Sequence, residues 1–107
     1  MKVIGKRVHA LPPKNGNPRN GEGSFVRLES GRIMYLFTQF CGTSRTDSAS
    51  SRLAACYSDD DGESWSEPIP FLEKPEGALN IMSVSLLTLQ NGEIGLLFLQ
   101  KMNLTIL

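Results

Sequence analysis

The sequence predicts an all-β fold, a β-propeller assembled from four-stranded antiparallel blades. Three observations predict it. Short runs rich in Val, Leu, Ile, Phe and Tyr alternate with Gly-containing turns, a fourth run in the series carries prolines, and the pattern of the first hairpin returns farther along the chain. Repetition of a strand unit at a fixed period above about 40 residues, with four strands per unit, fits the blades of a propeller.

The elements follow in order. Ser24 to Glu29 and Arg32 to Phe40 are apolar runs joined at Ser30-Gly31, a Gly-containing two-residue joint of the kind that closes a hairpin. A third run, Arg52 to Ser58, puts Leu53, Ala55 and Tyr57 on one parity. The fourth, Ser66 to Leu72, contains Pro68 and Pro70. Proline has no N–H to give to a ladder, so this strand belongs at a sheet edge. The stretch Ser85 to Gln100 then overlays Ser24 to Gln39 at a shift of 61 residues, with identities at Ser24/Ser85, Leu28/Leu89, Gly31/Gly92, Ile33/Ile94, Leu36/Leu97, Phe37/Phe98 and Gln39/Gln100. This second hairpin is apolar on both parities, which predicts burial on both faces. One domain, residues 1–107, thus holds about one and a half blades, the first about 24–72 and the start of the second about 82–101. A propeller closes with about four to eight blades, so the remaining blades are expected outside this chain.

Composition narrows the function. Eleven basic residues balance eleven acidic ones, which argues against nucleic acid as a partner. No apolar run approaches the roughly 20 residues of a membrane helix. Lys2, Lys6 and Arg7 have no apolar stretch behind them, so no signal peptide is visible and a cytoplasmic setting is expected. Cys41 and Cys56 form neither a metal spacing nor a disulfide framework and are expected to be free thiols. Asn103-Leu104-Thr105 matches the glycosylation sequon, which an unsecreted protein would leave unused.

The strongest local motif is Ser58-Asp59-Asp60-Asp61-Gly62-Glu63-Ser64-Trp65, which matches the Asp-box pattern Ser-x-Asp-x-Gly-x-Ser/Thr-Trp. Ser58 and Asp60 can bond nearby backbone N–H groups, Gly62 can take a positive φ, and Trp65 buries a large ring whose N–H needs one partner. Its acids do not form a calcium loop: with Gly62 at the sixth position, Tyr57 falls at the first and Pro68 at the twelfth. No metal is expected. The box is a structural staple, comprising Ser58, Asp60, Gly62, Ser64 and Trp65.

Antiparallel connectivity sorts the loops onto two ends. The Asp box, Ser30-Gly31 and Asn91-Gly92 share one. Asn17 to Gly23, Cys41 to Ser51 and Glu76 to Ser83 share the other, and these three stretches carry the functional side chains. Binding and catalysis are expected there.

Asp boxes recur in sialidases and other BNR-repeat propellers, and the chain resembles the N-terminal part of a sialidase (neuraminidase) from about Asn17 to Lys101. The resemblance implies a six-bladed propeller, a glycan substrate, no cofactor, and exo-hydrolysis of a terminal sialic acid or a related sugar. Arg19 stands where that family places a substrate-binding arginine before the first inner strand. Its surroundings, Pro18-Arg19-Asn20-Gly21, depart from the Phe/Tyr-Arg-Ile-Pro signature and look like the Asn-Pro-Arg-Asn-x-Glu-Gly variant of sialidase-like bacterial proteins. Asn80-Ile81-Met82-Ser83-Val84-Ser85 looks like the same variant. Asp47, the only carboxylate of its loop, stands where the family carries its acid/base aspartate. Glu22 is a candidate to orient Arg19 or to serve directly, and Asn80 and Ser83 to line the substrate pocket. Arg45, Arg52 and His9 are weaker candidates. The family's tyrosine nucleophile, its glutamate and two further arginines are implied to come from later blades, leaving the present chain inactive alone. Two other readings stay open: a carbohydrate-binding or scaffolding propeller without chemistry, and an exo-glycosidase acting on an uncharged sugar.

Overall fold

The computed structural model describes residues 4–102, so the sequon at Asn103 lies outside the described residues. Six antiparallel strands form two sheets: β1 (Arg19–Arg27), β2 (Ile33–Phe40), β3 (Ser51–Ser58) and β4 (Ile69–Glu73) in sequence order, and a separate hairpin of β5 (Ala78–Thr88) and β6 (Ile94–Met102). No helix of the described residues is long and apolar enough to cross a membrane. As the prolines predict, β4 lies at an edge, with Pro70 opposite Ala54.

The first strand begins earlier than expected. Residues 19–23, read from sequence as a loop, belong to β1, with Arg19 opposite Phe40 and Asn20 opposite Gln39. The backbone at the end of β2 is buried and needs partners, which these residues supply. A bulge between Asn20 and Gly23 absorbs the extra residues, and Gly23 sits where no side chain fits. A Cβ there would meet the Leu36 carbonyl oxygen, with Tyr35 Cζ at 2.7 Å and Phe37 Cβ at 2.8 Å.

The turns also correct the sequence reading. The first hairpin closes through three residues, Glu29-Ser30-Gly31, not two. Leu28 N–H donates to Arg32 O (2.7 Å), Gly31 N–H donates to Leu28 O (2.9 Å), and Gly31 takes φ 94°. This is a type I turn closed by a left-handed residue, a position that favours glycine. The second hairpin repeats it: Leu89 N–H to Glu93 O at 2.7 Å, Gly92 N–H to Leu89 O at 2.9 Å, Gly92 φ 87°. Strand register repeats as well, Ser24 facing Leu36 and Ser85 facing Leu97, each position 61 residues on. The internal repeat is therefore geometric, not only a likeness of composition.

One face of the four-stranded sheet packs on the second hairpin. Val26, Met34, Leu36, Leu53 and Ala55 bury themselves against Ile81 and Val84, with Leu86, Leu96 and Phe98 at the margin. The opposite face carries Phe37, Ala54 and Cys56, partly covered by Tyr35, Trp65 and the incoming Leu11. The second hairpin is covered on its inner face only. Its outer face leaves Leu97 and Leu99 each 64% exposed, so the expectation of burial on both faces fails within this chain. The sequence pattern registered apolar side chains on both parities without saying what covers them.

The Asp box forms as its residues require. Buried Ser58 Oγ accepts from Gly62 N–H (2.8 Å) and donates to Asp60 Oδ1 (2.9 Å). Asp60 in turn accepts from Ser64 N–H (2.8 Å) and Ser64 Oγ–H (2.6 Å), and Trp65 Nε1–H donates to Gly62 O (3.0 Å). Those donations, the Ser64 hydroxyl first, hold the Asp60 carboxyl below its usual 3.8, at about 2. The folded turn therefore binds fewer protons than the unfolded chain. Its contribution is complete above pH 3.8 and is lost as pH falls through about 2.

Two outcomes are expected. Ser64→Ala should lower the melting temperature at neutral pH, and its difference from the native chain should shrink as pH falls through about 2, as followed by circular dichroism. Gly23→Ala should cost about 2 kcal/mol or more in urea unfolding, since it overpacks against backbone. Gly95→Ala should cost well under that, because its Cβ would meet only movable atoms of Leu87 and Leu89, at 3.3–3.4 Å.

Candidate functional site

The end of the first sheet away from the Asp box is organised from Asn17 outward. Asn17 is buried, and its Nδ2 donates to the carbonyls of Phe40 (2.8 Å) and Arg19 (3.1 Å) and to Asn20 Oδ1 (3.1 Å). Asn20 Nδ2 donates to Leu11 O (3.0 Å). These bonds fix the start of β1, and with it Arg19.

Arg19 lies with its guanidinium carbon 4.6 Å from the centre of the Phe40 ring, a cation–π contact on a fully buried aromatic. Its Nη1 donates to Asp47 Oδ1 (2.6 Å) and to Arg45 O (3.1 Å). Two residues 28 positions apart are thus in direct contact, and Asp47 stands at the opposite end of β2 from the Asp box. Arg19 pairs with Phe40 at one end of that strand, and Ser58 pairs with Ile33 at the other. The Arg19 side chain is 33% exposed and that of Asp47 69%, so the pair faces solvent. Nε and Nη2 of Arg19 have no hydrogen-bond partner among the described residues.

Asn80 has a different place from the pocket wall expected of it. It is fully buried in β5, and its Nδ2 donates to the carbonyls of Asp47 (2.8 Å) and Ala49 (2.9 Å). The loop between β2 and β3 leaves these carbonyls without strand partners, and a carboxamide from the second sheet supplies the donor. Asn80 Oδ1 is buried with no partner among the described residues. Lys101 Nζ donates to Ser48 Oγ (2.9 Å), so both strands of the second hairpin hold the loop that carries Asp47.

Glu22 does not bond Arg19. Its partner is Ser83, whose Oγ lies 3.5 Å from Glu22 Oε1. Ser83 takes φ 60°, a left-handed conformation unusual outside glycine, at the bulge of β5. Glu22 and Ser83, 61 positions apart, meet across the two sheets and make no bond to the Arg19–Asp47 pair. Arg45 contributes its carbonyl. Arg52 lies across the sheet between Gln39 (2.8 Å) and Glu73 (3.4 Å), a structural position.

Sequence reading missed Asn17 and Ser51. Ser51 Oγ donates to Ile81 O (2.5 Å) and accepts from Ile81 N–H (3.1 Å). Nothing distinguishes Ser51 from its serine neighbours in sequence. Asn17 had a signal, an Asn ahead of a Pro where a strand starts.

An apolar groove of about 290 Å³ lies elsewhere, between Val8–Leu11 and the outer sheet face, lined by Phe25, Tyr35, Cys56 and Trp65. His9 borders it, with Nε2 buried and unpaired among the described residues. Burial, then the neighbouring charges of Cys56 and Glu22, pushes the Tyr35 hydroxyl above its usual range, and burial with Glu67 does the same to the Cys56 thiol. Both cysteines are free. The groove is an apolar space beneath the Asp box, whereas the Arg19–Asp47 pair lies at the other end of β2.

No known family model matches the chain, and no curated protein matches it.

Replacing Asn80 tests its role as the loop's anchor. Asn80→Asp sets a buried carboxylate against two carbonyls and should cost about 3–5 kcal/mol in urea unfolding. Asn80→Ala should cost less and should speed hydrogen exchange across residues 42–50 more than in β2.

Proposed function

We propose that this chain contributes the first blades of a sialidase-like β-propeller that hydrolyses terminal sialic acid, or a related acidic sugar, from glycans. Activity on this reading belongs to a complete ring of blades. The observation that carries it is the contact between Arg19 and Asp47 at the loop end. The repeated hairpin register and the formed Asp box support the propeller part of the reading.

Arg19 offers two unbonded edges of a planar fork beside a solvent-facing carboxylate. A sugar carboxylate could take the free Nε and Nη2 in a two-pronged contact, the geometry in which arginine exceeds lysine. Asp47 would then lie beside the bound sugar, able to hand a proton to the departing glycosidic oxygen and to take one from the incoming water. The loop anchors, Asn80 and Lys101, would keep that carboxyl in place while the bond breaks. The tyrosine nucleophile and the further arginines of this scheme would come from other blades.

A second reading is favoured by a specific observation. Arg19 Nη1 is already engaged by Asp47 and by Arg45 O, an arrangement equally suited to a clamp in a non-catalytic, carbohydrate-binding propeller.

Kinetics of the complete enzyme on sialosides with poor and good leaving groups test the proposal. Asp47→Asn should cut turnover by roughly a hundredfold or more on a poor leaving group and much less on an activated aryl glycoside. Arg19→Lys should weaken substrate binding by roughly tenfold, the worth of one lost charged hydrogen bond. Equal losses on both leaving-group classes would remove Asp47 from the acid role. Glycan binding without turnover would favour the second reading.

A further inference from the structure

The loop that carries Asp47 is met by cations from both sheets. Arg19 reaches it from β1, with Nη1 on Asp47 Oδ1 (2.6 Å) and on Arg45 O (3.1 Å). Lys101 reaches the next residue from β6, its Nζ donating to Ser48 Oγ (2.9 Å). Lys101 stands opposite Asn80 in the β5–β6 ladder. Opposed residues of an antiparallel pair project to the same face, and these two bond the same loop. Asn80 takes the carbonyls of Asp47 and Ala49, and Lys101 takes the hydroxyl of the residue between them. The register of the second hairpin thus sets an ammonium one residue along from the carboxylate that Arg19 engages.

An anchor at this position needs no charge. Asn80 already holds the loop through a neutral carboxamide, and one of its two bonds is buried. The Lys101 bond joins exposed groups, where fixing a long side chain costs entropy that a single hydrogen bond barely offsets. The charge also stands without a carboxylate of its own. Lys6, Arg19, Arg27, Arg32 and Arg52 each form an ion pair, and Lys101 forms none among the described residues. Its place follows from contacts with Ser48 and from its pairing with Asn80, both inside the described residues. An ammonium carries three N–H donors, and Ser48 occupies one. Its charge acts beyond contact distance, over a screening length of about 8 Å at physiological salt.

We propose that Lys101 is a second cation of the site, acting with Arg19 on a ligand that carries a carboxylate. Arg19 supplies the two-pronged contact from the first sheet. Lys101 supplies a point charge and a mobile donor from the second, so that an acidic sugar is preferred over a neutral one of the same shape. This role rests on the reading of Arg19 as a carboxylate ligand. It adds that the preference for an acid is shared between the two sheets, and that Lys101 is a specificity residue as well as a loop anchor.

Calorimetric binding of free N-acetylneuraminate and of its uncharged methyl ester to the complete protein tests the role. Lys101→Met removes the charge, Lys101→Arg keeps it, and Ser48→Ala removes the anchoring bond while leaving the ammonium. Circular dichroism melting checks that each variant keeps the native transition, and Lys101→Gln stands in for Lys101→Met if that one does not. Lys101→Met is expected to weaken binding of the acid roughly fivefold at about 0.01 M salt and less than about twofold at about 1 M, where charges are screened. The ester should bind the native protein and this variant alike. Lys101→Arg and Ser48→Ala should keep the affinity of the native protein for the acid. Equal losses for acid and ester overturn the proposal, as does a loss in Ser48→Ala that matches Lys101→Met, since both belong to an anchor alone. Unchanged acid binding in Lys101→Met, with Arg19→Lys still weakening it, overturns the role of Lys101 and leaves that of Arg19 standing. A native protein that binds acid and ester equally overturns both.

Discussion

Ser51 and Ile81 exchange two hydrogen bonds across the two sheets, the hydroxyl giving to the carbonyl and taking from the amide. The arrangement of the loop end depends on this contact and on the apolar packing around it. Ile81 is buried beneath Leu36 and Leu53, and its neighbour Asn80 is thereby carried under the loop after β2. Asn80 fixes the Asp47 and Ala49 carbonyls, the loop fixes Asp47, and Asp47 meets Arg19. Each of the anchoring bonds satisfies a backbone group that burial would otherwise leave unpaired, and unmade bonds of that kind are costly.

The two ends of the first sheet are built differently. At the Asp-box end, a serine, an aspartate and a tryptophan satisfy one short turn locally, within eight residues of each other. At the loop end, the bonds join residues tens of positions apart, and the second hairpin must be docked before the loop can be held. The first end is self-sufficient. The second exists only as a product of tertiary packing, which suits a place where side chains from separate segments converge.

That difference explains what could be read from the sequence. The Asp box was legible because its residues act on one another at fixed short spacing. The edge position of β4 followed from Pro68 and Pro70, and the hairpin repeat from matching Gly and Leu positions. The early start of β1 was hidden, because Asn-Pro-Arg-Asn-Gly resembles a loop until the buried end of β2 demands a partner. The turn length was misjudged because three-residue and two-residue joints share the same Gly signal. Asn80 belongs to the expected neighbourhood but plays another part there. A carboxamide suits a pocket wall or a carbonyl clamp equally well, and only burial separates the two. Glu22 and Ser83 meet each other and not Arg19, a matter of bulge geometry that no spacing rule carries.

Trp65 is the only tryptophan in the chain, and its ring has two neighbours of different kinds. Its N–H is tied to Gly62 inside the Asp-box turn, while Phe25 meets it edge-on at the mouth of the apolar groove. The molecule thus carries a single built-in optical probe at the seam between a local turn and a sheet face. Light emitted by that indole reports the integrity of the turn and the wetness of the groove together, with no label attached.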